Sequence, residues 1–414
     1  MSHDDGVVRE QTAALDSSSA ETSSTGPTSR APVAEAEGRG PIGAGARAAG
    51  LRGFHPGWFG AVMGTAIVGV AASLNPGHLT SVATTARAVS QVMTVIAVAL
   101  GVILLVLYAS RLLLHGDAAL ADLRDPGVGA LYGTVPGAVL VLAAAANAVG
   151  PTWFAPSTVR DLVVVLAWIG VPLAFVVSLI FAHTLFLRAE LAPEAVNGSW
   201  FIPPVVNIVV PLVLVALVPG SSPSTARSLL FLSYGFWGMG FMLYLIVIAM
   251  LYQRLVLHPL PQAGLAPSLW IGLGPIGVGS LALLKMAAVG GGVLGAQRPA
   301  VASASKLVAT ALWGFGAWWL FIAATLLVHY LRSGSLPYGI GWWGFTFPLG
   351  AYTVATLALA QAWNLASLQC VGASLFVVLG LFWIVVVART LRALGTGEFT
   401  HGSQPAAMTQ VPNK

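Results

Sequence analysis

The sequence predicts an all-α membrane protein, with ten transmembrane helices arranged as five parallel helical-hairpin repeats around a central pore. Three observations lead there. Of 414 residues, 57% are hydrophobic and only 8% are charged, whereas a soluble domain carries about 25% charged residues. The uncharged stretches 88–110, 162–182, 228–253 and 307–328 reach membrane length, since the hydrocarbon core takes about 20 apolar residues of helix. Finally, landmark residues recur along the chain at spacings of 72, 68, 71 and 73 residues.

In chain order, residues 1–53 are rich in Ser, Ala, Gly, Thr and Pro and hold no apolar run. Such a segment cannot bury enough surface to fold and is expected to be disordered. It shows no basic n-region followed by an h-region, so the first apolar stretch, near Trp58, is expected to stay in the mature protein. Apolar runs then place helices at 57–75, 90–114, 128–148, 161–184, 200–219, 227–252, 268–288, 307–331, 342–361 and 368–390, within a transmembrane transport domain at 54–393. Residues 394–414 are polar again and are expected to form a second disordered end.

The odd-numbered helices share a pattern in which an aromatic or glycine-rich start is followed by a breaker. Trp58 precedes Gly64, Tyr132 precedes Pro136, Trp200 precedes Pro203 and Pro204, Trp270 precedes Pro275, and Trp343 precedes Pro348. The spacings quoted above run from Gly64 through Pro136, Pro204 and Pro275 to Pro348. The even-numbered helices keep the same beat: His115, His183, His258 and His329 lie near their ends at spacings of 68, 75 and 71. Repeats in the same orientation are related by rotation about the membrane normal, and five of them close most simply into a ring. Breakers free backbone groups, which membranes tolerate only against protein or a water-filled cavity. The odd helices are therefore expected to form the inner wall.

Charge placement sets orientation and excludes several functions. With the N-terminus inside, ten Lys and Arg flank the helices on the inner side and six on the outer, so both termini are expected on the cytoplasmic face of the cell membrane. The pI near 9.6 reflects basic residues scattered singly, without the patch or stripe of a nucleic-acid binder. None of the fourteen Asp and Glu falls within a helix interior; Asp161, at the start of the fourth, comes nearest. Cation pores and proton relays rely on intramembrane carboxylates. The histidines near even-helix ends read as cations facing a negative helix terminus, too far apart on an outer wall to share a metal. Cys370 is the only cysteine, so no thiolate metal site can assemble. No metal or cofactor is expected. Nor does the chain contain GxxxxGK[ST], HExxH or GxSxG, which leaves an intramembrane enzyme as a remote alternative.

What remains is a pore of neutral dipoles, hydroxyls and rings that admits small anions. Thr65, Thr134, Asn147, Asn207, Ser280 and Thr346 are its candidate polar lining. Lys285 lies eleven residues beyond Gly274. Eleven residues turn a helix by three turns plus roughly 20° and raise it about 16 Å, which would place the ammonium in an outer vestibule, attracting anions.

The inner-helix sequences also resemble a known family. His55-Pro56-Gly57-Trp58-Phe59-Gly60-Ala61-Val62-Met63-Gly64-Thr65 is similar to the first-helix motif of the tellurite-resistance/dicarboxylate transporter (TDT) family, which includes slow anion channels, malate permeases and sulfite efflux pumps. Ser199-Trp200-Phe201-Ile202-Pro203-Pro204-Val205 resembles its fifth-helix motif, Trp270-Ile271-Gly272-Leu273-Gly274-Pro275-Ile276-Gly277 its seventh, and Trp342-Trp343-Gly344-Phe345-Thr346-Phe347-Pro348-Leu349 its ninth. The resemblance spans about residues 55–392. It implies a quasi-fivefold ten-helix fold, a pore lined by the odd helices and a homotrimer with one pore per protomer. It also carries the family's pore-occluding phenylalanine onto Phe347. One departure is Ala66 where the family motif has glycine, which should narrow the pore there.

The combined expectation is a channel-like or uniport exporter of small anions. Phe347 would be the gate, at a depth shared by Met63, Val135, Pro203 and Gly274. Gly64, Thr65, Pro136, Pro275 and Thr346 complete the expected lining. Phe345 lies about 200° around the helix from Phe347 and cannot face the axis with it. The alternative is a proton-coupled or weak-acid permease for a C4-dicarboxylate or sulfite.

Overall fold

The computed structural model describes residues 50–396, apart from Leu79, Ala189, Glu190 and Ser335. The expected disordered ends 1–49 and 397–414 lie outside the described residues. Ten helices are long and apolar enough to cross a membrane: α1 (Phe59–Ser73), α2 (Ala83–Leu114), α3 (Thr134–Val149), α4 (Pro156–Phe186), α5 (Ile202–Ala216), α6 (Pro223–Leu257), α7 (Leu273–Val289), α8 (Arg298–Arg332), α9 (Thr346–Trp363) and α10 (Ala366–Thr396). The chain is a multi-pass α-helical membrane protein, and no strand occurs among the described residues.

Odd and even helices differ in build. The odd α-helices have 15 to 18 residues, so the shortest rises only about 23 Å, less than the roughly 30 Å hydrocarbon core. A 3₁₀ segment in front of each extends the span: Pro56–Trp58, Gly129–Gly133, Gly198–Phe201, Ala263–Gly272 and Ile340–Phe345. Pro136, Pro203, Pro204, Pro275 and Pro348 all fall on the second or third residue of their α-helices. The sequence reading took these prolines as breakers within the inner helices. They stand instead where the 3₁₀ segment hands over to the α-helix, in the first turn, where proline's fixed φ suits the helix and its missing N–H breaks no intrahelical bond.

The even helices have 31 to 35 residues and begin and end beyond the apolar runs. Arg298, nine residues before the expected start at 307, already opens α8. Hydropathy misses such turns because Arg, Ser and Lys make good helix outside the hydrocarbon.

Burial separates the two sets into layers. Between 67 and 89% of the most apolar window of each odd span is buried, against 17 to 33% for the even spans. The even helices present Trp168, Phe231, Phe321 and Leu381 outward, as lipid contact requires, and their opposite faces pack on the odd helices. Each odd helix packs on the even helix after it, and the odd helices contact one another in the order α1, α3, α5, α7, α9, with α9 returning to α1. Small residues permit the closest approaches. A Cβ on Gly277 would lie 2.5 Å from the carbonyl carbon of Ala351, so α7 and α9 meet backbone to backbone there.

Indole N–H groups tie the outer layer to the inner one. Trp237 donates to the Gly279 carbonyl (3.1 Å), Trp313 to Thr356 Oγ1 (2.9 Å), Trp319 to the Leu269 carbonyl (2.9 Å) and Trp383 to Thr65 Oγ1 (3.1 Å). Each buries a large ring while satisfying its one donor. At the end where the even helices finish, buried Arg111 pairs with Asp122 at 2.6 Å and donates to the Arg52 carbonyl at 3.1 Å. Arg52, which fell inside the expected disordered segment, also pairs with Asp117 at 2.5 Å.

Candidate functional site

In the inner layer, groups from neighbouring odd helices pack against one another at the height of Gly274 and Phe347. A Cβ on Gly274 would lie 3.2 Å from Val205 Cγ2 of α5 and 3.9 Å from Phe347 Cε1 of α9. The bare side of α7 therefore faces both neighbouring inner helices at once, which only its axial side does. Gly137 of α3 behaves likewise: its Cβ would lie 2.9 Å from Met63 Cε of α1 and 3.1 Å from Val206 Cγ2 of α5. Between α9 and α1 the layer is sealed by Thr346 against Gly64, whose Cβ would meet the threonine Cβ at 3.0 Å. Met63, Gly137, Val205, Val206, Gly274 and Phe347 are all buried.

Toward the C-terminal ends of the odd helices the same faces become more exposed. Residues seven and eleven positions on return to the same face. In α1 these are Val70 and Leu74, in α3 Ala144 and Ala148, in α5 Leu212 and Ala216, in α7 Leu281 and Lys285. All are partly or fully exposed. In α9, Val354 is still buried, Ala358 is partly exposed and Gln361 is exposed. Lys285 is the one charged side chain in these stripes.

Most of the expected lining residues have local hydrogen-bond partners or pack in helix seams. Thr65 turns its hydroxyl to Trp383 of α10, away from the axis. Val135 shares a face with Val139 and Leu142, which meet Gly170 of α4 and Gly101 of α2, so the structure directs it to the outer layer. Thr346 donates to the Trp343 carbonyl at 2.8 Å and Thr134 to the Pro56 carbonyl at 2.6 Å. Ser280 donates to the Ile276 carbonyl at 2.8 Å and Asn207 to the Pro203 carbonyl at 2.8 Å. Asn147 is exposed at the end of α3, beside Arg160. Pro136, Pro203 and Pro275 are buried, Pro203 in the seam where α5 meets Gly133 of the α3 opening. Four of the six expected polar lining residues thus donate to backbone carbonyls, while the buried Asn207 Oδ1 has no hydrogen-bond partner among the described residues.

The sequence reading missed Gly137, Val205 and Val206. It took the residue before each proline as axial. Proline marks the height of the handover but not the rotation of the helix about its own axis, and α3 is turned so that Gly137 faces inward. Phe345 meets Trp270 and Phe382 at ring separations of 5.5 Å each, so it packs toward α10 while Phe347 packs toward α7.

At the opening of α1, His55 Nδ1 accepts from the Gly57 N–H at 3.1 Å and caps the 3₁₀ turn. Burial pushes its pKa down to about 4, against a smaller upward pull from Asp122.

Comparisons with known proteins agree on one family. The family model described as voltage-dependent anion channel matches residues 53–391. An uncharacterized transporter of Methanocaldococcus jannaschii is 32% identical over 353 residues, covering 85% of this chain and 96% of its own. A sulfite efflux pump of Trichophyton rubrum is 27% identical, covering 83% and 92%. A malic acid transport protein of Schizosaccharomyces pombe is 22% identical over 55% of this chain and 54% of its own.

Proposed function

The chain belongs to the voltage-dependent anion channel family, and we propose from that premise that it passes small anions along the axis of the five inner helices, as a channel or uniport exporter gated by Phe347. The observation that carries the reading is the apolar level where Phe347 lies beside Gly274. An apolar constriction can exclude water and ions until a side chain moves. Anion preference is supported by charge: Lys285 is the one charged side chain on the axial faces named above. No Asp or Glu stands on the axial faces named above.

As part of the same proposal, the five hairpins are copies of one unit about the axis. The side bearing Arg111, Arg188, Arg254, Arg332 and Arg389 faces the cytoplasm, and three protomers assemble with one path each. The test is anion flux in vesicles holding the purified protein, over a panel running from chloride and nitrate to sulfite and malate. Vesicles that pass none of these anions, with wild type or with Phe347→Ala, would refute the reading.

A second reading, a weak-acid or proton-coupled permease for sulfite or a C4-dicarboxylate, is favoured by the names of the fungal relatives. Reversal potential separates the two. A shift with the pH gradient at fixed anion gradients marks proton coupling, and its absence marks uniport.

A further inference from the structure

Away from the axis, a cavity of about 330 Å³ lies at the end of α10, lined by Arg389, Arg392 and Ala393 and by Pro337 and Tyr338 of the segment leading into α9. Two cations line it and no carboxylate does. Its walls are held in place: Arg389 lies 5.7 Å over the ring of Trp342, the Trp342 indole donates to the Pro337 carbonyl at 2.9 Å, and the Tyr338 and Thr390 hydroxyls are 2.6 Å apart. Both arginines remain exposed. Just before and beside them on α10, Ile384, Val385, Leu391 and Leu394 are exposed as well, which places the cavity where apolar helix surface gives way to charge.

We propose that this cavity binds the phosphate headgroup of an anionic phospholipid. Planar guanidinium groups pair with phosphate oxygens through two parallel hydrogen bonds, and basic pockets between membrane helices are the usual setting for such headgroups. Free phosphate offers the same oxygens, but the exposed aliphatic stripe beside the arginines gives acyl chains a surface that a free ion would not use. The site adjoins the 3₁₀ opening of α9, since Trp342 also packs on Phe345 at 5.8 Å. A bound headgroup would therefore brace the segment that carries Phe347.

The test needs no transport assay, so it stands or falls apart from the proposed function. The thermal midpoint of the full-length protein in detergent is measured against dihexanoyl phosphatidylglycerol, dihexanoyl phosphatidylcholine and inorganic phosphate. Phosphatidylglycerol should give a saturable rise that phosphatidylcholine does not. At about 1 kcal/mol per cation, removing two cations corresponds to about 30-fold weaker apparent affinity in Arg389→Gln/Arg392→Gln. Arg227→Gln, an exposed arginine at the opposite end of the helices, should leave the rise intact. Arg392→Gln alone keeps the Arg389–Trp342 stack and serves if the double variant does not fold; about fivefold weakening is expected there. An equal rise with inorganic phosphate would overturn the lipid assignment. A rise unaffected by loss of Arg392, or matched by phosphatidylcholine, would overturn the site.

Discussion

The phenyl ring of Phe347 lies beside Gly274, and a Cβ on that glycine would stand 3.9 Å from the ring's Cε1. One helix supplies the bulk and its neighbour supplies the space. Moving the ring breaks no hydrogen bond and displaces no charge, which suits the gate proposed above.

Replacing Phe347 by alanine should therefore raise anion flux strongly while leaving expression and oligomeric state unchanged. Phe345→Ala should not raise flux, because its ring packs on Trp270 and Phe382. Loss of those contacts should instead lower the thermal midpoint, since truncating a buried phenylalanine costs about 3–5 kcal/mol. If both variants lose stability and neither gains flux, Phe347 is packing and the gate lies elsewhere.

Gly277→Ala should fail for a different reason. Its Cβ would fall 2.5 Å from the Ala351 carbonyl carbon, and two backbones cannot separate without reopening the seam between α7 and α9. Overpacking of this kind costs about 1–3 kcal/mol. Gly292→Ala, which meets nothing within 4 Å, is the control. Comparable thermal midpoints for the two variants would show that the α7–α9 approach is looser than described.

How much of this was readable in the sequence follows from which signals are one-dimensional. Hydrophobic length located all ten spans, and the landmark spacing singled out the odd helices, which proved to be the buried set. Rotation about a helix axis leaves no such trace. Thr65 and Val135 were placed by sequence distance from a glycine or proline, and both turn outward, one to Trp383 and the other toward the α2 and α4 side. Lys285 was placed by counting whole turns from Gly274; it is exposed, and Leu281 between them is partly exposed. Adjacent residues in an α-helix point about 100° apart, so a landmark's neighbour does not inherit the landmark's face.

His55 gives a stability prediction with a definite sign. Its pKa is lowered to about 4 in the fold against about 6.5 in an unfolded chain. The native state therefore binds fewer protons between these values. Its contribution is fully present above pH 6.5 and is lost as pH falls through about 4. His55→Asn keeps a side-chain acceptor for the Gly57 N–H but does not titrate. The thermal midpoint of the wild type should fall more steeply between pH 7 and pH 4 than that of His55→Asn. Parallel curves would remove His55 as a source of acid sensitivity.

Lys285 yields a prediction about rate. It is exposed on α7, eleven residues past Gly274, and on the proposed path it would stand about 16 Å above Phe347. A single positive charge at the mouth of an apolar funnel raises the local anion concentration, and so the entry rate, without changing the constriction. The alternative is an ammonium that snorkels to lipid headgroups, where it would not meet the permeating ion. Salt separates the two, because the Debye length is about 30 Å at 0.01 M and about 3 Å at 1 M. In a Phe347→Ala background, where entry rather than gating limits flux, Lys285→Gln should lower anion flux most at 0.01 M and have little effect at 1 M. Lys285→Arg, which keeps the charge, should restore the low-salt rate. A Lys285→Gln flux equal to that of the parent at every salt concentration would assign the ammonium to the lipid surface.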